Sequence, residues 1–188
     1  IVRFCMHRFV SFTAFIVIVM VLGISTVSAA ATTYAYSGGS AAIADNSTIT
    51  RTISISDSYT ISDVNVSLNI NHTWVGDLIV KVTSPAGTVV TIVDRPGAPT
   101  STFGCSGDNI ITTIDDEAGS AVEVACPPTG TGYTPNSPLS AFDGQNVNGT
   151  WTLTISDNAG GDTGTLNGWS LVIDQAAAPS APVAAVPA

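Results

Sequence analysis

The chain has 188 residues, with five Lys and Arg against fourteen Asp and Glu and a net charge of −9 at pH 7. That length suits one domain with tails. The acidic balance excludes the basic face that phosphate binding needs, and with it nucleic acid as a partner.

Taken in order, Arg3, His7 and Arg8 precede an apolar run over residues 9–24, and small residues follow at Val27-Ser28-Ala29 and Ala29-Ala30-Ala31. Residues 1–30 therefore read as a secretory signal peptide, with a retained membrane anchor as the alternative. Removing them takes Arg3 and Arg8 and leaves Arg51, Lys81 and Arg95 against all fourteen acids, a charge of −11. Residues 31–48 are expected to be a lead-in to the folded domain.

From residue 49 the pattern is one of short strands. A β-rich run covers 49–55, and Val64, Val66, Leu68 and Ile70 then alternate with Asn65, Ser67 and Asn69, which places the apolar side chains on one face of a half-buried strand. Leu78, Val80 and Val82 repeat the alternation, and Ser84-Pro85-Ala86-Gly87 predicts a hairpin turn into a run over 88–93. Another short run covers 109–114. Trp151, Leu153 and Ile155 alternate with Thr152, Thr154 and Ser156, and Trp169, Leu171 and Ile173 close the series. Seven or more strands separated by Gly, Pro, Asn and Asp predict an all-β sandwich or jelly roll with one core.

Two features sit outside that pattern. The Pro- and Gly-rich stretch over 97–140 holds Cys105 and Cys126, which remain once Cys5 leaves with the signal. A disulfide between them suits an oxidising compartment and would contribute about 3 kcal/mol; ligation of a metal is the alternative. Residues 175–188, rich in Ala and Pro, read as a linker, with a sorting anchor or further domain expected beyond it.

Catalytic patterns are weak. His72 is the one His left after signal removal, and no Gly-x-Ser-x-Gly elbow accompanies it, so a packing or hydrogen-bonding role is expected. Asp162-Thr163-Gly164 spells the aspartic-protease triplet, but that chemistry needs two carboxylates sharing a proton and the chain has one such triplet. The acidic loops are the better candidates: Asp77, the run Asp115, Asp116 and Glu117, and the pair Asp157 and Asp162 could supply oxygens to Ca²⁺, against the plainer reading of a solvated acidic surface. Trp74, if exposed, is the first candidate for stacking a carbohydrate ring.

The segment Asn71-His72-Thr73-Trp74-Val75-Gly76-Asp77-Leu78, followed by a strand and Ser84-Pro85-Ala86-Gly87-Thr88, resembles the first signature of the P (Homo B) domain of the proprotein convertases. Ser137-Pro138-Leu139-Ser140-Ala141-Phe142-Asp143-Gly144, then Asn148-Gly149-Thr150-Trp151-Thr152-Leu153, then Asp157 through Gly164-Thr165-Leu166-Asn167-Gly168-Trp169-Ser170-Leu171, looks like the C-terminal half of that family. The resemblance covers residues 49–174. It implies a jelly-roll-like, galactose-binding-domain-like β-sandwich that is not itself an enzyme. In that family the module accompanies a subtilisin-like serine peptidase, which it stabilises or regulates, and calcium dependence is common. A secreted or cell-surface location and a peptidase partner, in trans or in a longer chain, follow from it. The alternative is an extracellular carbohydrate- or protein-binding module.

Overall fold

The computed structural model describes residues 31–178 apart from Pro99 and Thr131, so the expected signal and most of the expected linker lie outside the described residues. Among the described residues no helix is long and apolar enough to cross a membrane.

Among the described residues nine strands form two antiparallel sheets: β1 (Thr32–Ala35), β2 (Ala41–Ile43), β3 (Thr48–Ile55), β4 (Ile61–His72), β5 (Leu78–Thr83), β6 (Val89–Asp94), β7 (Ile110–Ile114), β8 (Gly149–Asp157) and β9 (Gly164–Gln175). One sheet runs β1-β9-β4-β7, with β2 also on β9; the other runs β3-β8-β5-β6. The expected lead-in is thus partly strand. β1 pairs with residues 170–173 of β9 and β2 with residues 164–166, so the two short strands share successive halves of one long edge.

Alternation explains the packing. Val64, Val66, Leu68 and Ile70 of β4 face Trp151, Leu153 and Ile155 of β8 across a single core, and all seven are buried. Thr and Ser at the intervening positions of β8 meet solvent or the neighbouring strands. Trp151 donates its indole N–H to the Val147 carbonyl at 3.0 Å and packs edge-on against Phe142, ring centroids 5.1 Å apart and planes at 76°. Such an edge contact is worth about 1 kcal/mol beyond the area it buries. The predicted hairpin joins β5 to β6, with Gly87 at φ +87°, a conformation that favours glycine.

Cys105 and Cys126 are joined in a disulfide. It ties down the connection between β6 and β7 and the short 3-10 turn Val122–Val124 that follows.

Candidate functional site

The alternation that builds the core runs on past its apolar residues. In β4 the inward series 64, 66, 68, 70 reaches His72, and in β8 the series 151, 153, 155 reaches Asp157. Because β4 and β8 belong to opposite sheets, their last inward side chains meet across the end of the sandwich. His72 Nε2 lies 3.2 Å from Asp157 Oδ2, and both side chains are 0% exposed. Nδ1 faces the Trp74 backbone, 2.9 Å from its carbonyl and 3.2 Å from its amide, while Asp157 Oδ1 accepts the Ala159 N–H at 3.2 Å. Removing either partner would leave a buried polar group without its complement, which makes the pair a structural latch. Both ring nitrogens of His72 are thus engaged with protein groups, Asp157 on one side and the Trp74 backbone on the other.

Immediately beyond this latch the chain turns sharply. Val75–Asp77 form one 3-10 turn, the Gly76 N–H donates to the Cys105 carbonyl at 2.9 Å, and a Cβ on Gly76 would collide with the backbone of Gly104 and Cys105. Glycine is what allows the disulfide-bearing loop to lie against the signature segment. The Arg95 guanidinium closes the same corner by donating through Nε to the Gly76 carbonyl at 3.0 Å.

An open cleft of about 190 Å³ results, lined by Trp74, Asp77, Phe103, Ala159, Gly160 and Asp162. Trp74 is partly buried, its indole N–H is held by the Phe103 carbonyl at 2.7 Å, and it forms one wall of this cleft. Asp162 Oδ1 accepts from the Thr73 hydroxyl at 2.7 Å. Asp77 is 4% exposed; its backbone carbonyl accepts twice from Asn158, and its carboxylate has no hydrogen-bond donor among the described residues. Burial raises the Asp77 carboxyl above the usual carboxylate range, and the charges of Asp157 and Asp162 add to it; His72 and Arg95 offset only part.

The other acidic candidates lie elsewhere. Asp115, Asp116 and Glu117 follow β7, whose antiparallel pairing with β4 returns it toward the beginning of that strand. At about 3.3 Å per residue, the run of β4 from Asp63 to His72 spans roughly 30 Å, so the two acidic groups occupy opposite ends of the sandwich. Asp116 is a cap: its oxygens accept the Leu139 and Ser140 N–H groups, each at 2.8 Å, at the head of the 3-10 turn Leu139–Phe142. Asp115 Oδ1 accepts the Glu117 N–H at 2.8 Å, and a side-chain hydrogen bond to Asp115 raises the Glu117 carboxyl.

A calcium cage needs about six converging oxygens. Among the described residues no three His, Cys, Asp or Glu side chains form a group that could hold a metal ion, and most candidate carboxylates are already committed to protein donors. The structure brings Asp77, Asp157 and Asp162 to one end of the sandwich and keeps Asp115, Asp116 and Glu117 apart from them. Asp162 sits in the loop before β9 and is bonded to Thr73, and Gly164 of the Asp162-Thr163-Gly164 triplet is the first residue of that strand. Phe103 and Arg95 were not anticipated as contributors; the nearby Cys105 was the one signal that this loop is anchored beside the signature.

The class defined by this arrangement is an all-β sandwich module latched at one end by a buried His–Asp bridge. Residues 61–173 match the family described as the proprotein convertase P-domain, and the chain belongs to that family. It is 30% identical over 106 residues to leupeptin-inactivating enzyme 1 of Streptomyces exfoliatus, covering 56% of this chain and 17% of that enzyme. It is 32% identical over 125 residues to a calcium-dependent protease of Trichormus variabilis, covering 65% of this chain and 15% of the protease. A protein of the same name from Nostoc sp. is 32% identical over 135 residues, 70% of this chain and 16% of its own length. The chain thus spans less than a fifth of the curated relatives it matches. A crystal structure of the serine protease of Aeromonas sobria shares the fold with a TM-score of 0.50 at 21% identity, over 80% of this chain and 27% of that one.

Proposed function

We propose that this domain is a non-catalytic accessory module of a secreted or cell-surface protein, and that it stabilises or regulates a subtilisin-like serine peptidase. The match of residues 61–173 to the proprotein convertase P-domain carries the reading. Two observations support it. The relatives are proteins with protease names in which the shared part is a small share of the length, and the histidine that a triad would need is enclosed in a latch with Asp157.

The test is heat inactivation of a subtilisin-like peptidase secreted by the source organism, with and without the purified chain. The expected result is a rise of several degrees in the half-inactivation temperature, or a reproducible change in peptidase activity. No effect on any such peptidase would refute the accessory role, and inhibitor-sensitive peptide turnover by the chain alone would refute the non-catalytic one.

Calcium belongs to this reading in a limited form. The names of two relatives and the acidic loops support it; the placement of the carboxylates gives it no cage. Thermal unfolding in millimolar CaCl₂ and in excess EGTA decides, because a ion bound only by the folded state raises the midpoint by mass action. A rise of several degrees establishes a calcium site, and coincident curves remove calcium from the account.

A further inference from the structure

The cleft at the latched end combines three properties that serve no purpose in holding the fold together. Asp77 is buried to 4% exposure, lines the cleft, and has no donor for its carboxylate among the described residues. Asp162 brings a second carboxylate to the same cleft. Phe103 stands at its edge 72% exposed, with its backbone carbonyl fastened to Trp74. A carboxylate that opens only onto the cleft and takes no hydrogen bond from the described residues is free to receive one there, and a large exposed aromatic beside it is the kind of surface that marks a contact site.

The protein's own cations answer this charge only in part, through the nearby His72 and Arg95. Arg95 directs Nε to the Gly76 carbonyl and Arg51 donates to the Thr50 carbonyl; among the described residues the recorded ion pair is His72 with Asp157. The missing complement is a cation from outside. A metal ion would need more oxygens than the two carboxylates offer, and no metal-holding group forms among the described residues. A guanidinium fits better: it is planar, weakly hydrated, presents several N–H donors to carboxylates, and lies favourably on aromatic rings. At about 190 Å³ the cleft is smaller than the roughly 300 Å³ at which small-molecule pockets begin, a size that suits one side chain.

The geometry points to a docking site for an arginine side chain of a partner polypeptide, held between Asp77 and Asp162 and covered by Trp74 and Phe103. This deepens the accessory reading by naming the chemistry with which the module grips its partner, and it rests on that reading only for who the partner is. The chain's net charge of −9 adds long-range attraction for a basic segment.

The experiment is a titration of the ¹⁵N-labelled chain with the peptide acetyl-Gly-Arg-Gly-amide and with its citrulline counterpart, which keeps the shape and loses the charge. Saturable shifts are expected at the Trp74 indole and at the amides of residues 74–77, 103–105 and 159–162, with the citrulline peptide at least about tenfold weaker. Phe103→Ala, at an exposed position, is expected to weaken the arginine peptide several-fold with no change in unfolding midpoint; Asp77→Asn is expected to abolish the preference for arginine over citrulline. Equal binding of the two peptides, no shifts at all, or displacement of the peptide by low CaCl₂ with calcium shifting the same resonances would overturn the site. The peptide reads the cleft without any peptidase. A positive titration beside a null heat-inactivation result therefore keeps the cleft and refutes the accessory role, and the reverse pair refutes the cleft alone.

Discussion

Glu123→Gln is expected to stabilise the domain at neutral and alkaline pH and to leave it unchanged in acid. Glu123 belongs to the 3-10 turn that the disulfide holds against β6. Its Oε1 accepts the Asp94 N–H at 2.8 Å, while Oε2 is buried with no partner among the described residues. Burial is the main cause that raises this carboxyl from 4.5 to about 7, with the Asp94 charge adding and the Asp94 N–H and the nearby Asn136 side chain opposing. The folded state therefore holds the proton more tightly than the unfolded chain. The ionised carboxylate costs stability, the cost being absent below pH 4.5, growing as pH rises toward 7, and complete above it. The gap corresponds to about 3 kcal/mol without solvent; partial exposure roughly halves that, leaving about 1.5 kcal/mol. Glutamine keeps the acceptor for Asp94 and removes the charge. Calorimetry across acid to alkaline pH is expected to show the variant melting about 4 °C higher above neutrality, with the difference vanishing near pH 4. A variant no more stable than the parent at pH 8, or a gain that ignores pH, would refute the argument.

Two further outcomes follow from the same geometry. His72→Leu alone is expected to cost about 3 kcal/mol by leaving Asp157 buried without its partner, whereas His72→Leu with Asp157→Leu costs much less than the sum of the two single changes; chemical denaturation of all four proteins checks this, and additive losses would show that the latch is not a coupled pair. Reducing the Cys105–Cys126 bond, or replacing both with Ser, is expected to lower stability by about 3 kcal/mol, read as a lower urea midpoint, with the largest loss of amide protection in the loop that packs on Gly76.

Much of the sandwich was visible in one dimension because a strand's side chains alternate with period two, and burial on one face writes that period into the residues. Val64 through Ile70 and Trp151 through Ile155 marked their strands without any partner being known. β1 and β2 were not visible: they have four and three residues, too few to display a period, and they exist because β9 offers them an edge. The disulfide was legible from the two cysteines of one Pro- and Gly-rich stretch, Cys105 and Cys126. The acidic candidates were legible only as residue types. Whether Asp116 caps a turn or Asp77 lines an open cleft depends on donors brought from distant parts of the chain, Leu139 in one case and none among the described residues in the other. The sequence by itself determined the strand period, the polarity of each face and the positions where the backbone must turn, because these are properties of neighbouring residues. Only the tertiary structure decided that His72 and Asp157, eighty-five positions apart, close the two sheets on each other, and that Phe103 and Asp77 line one cleft, because those arrangements arise from how the sheets and the tethered loop stack in space.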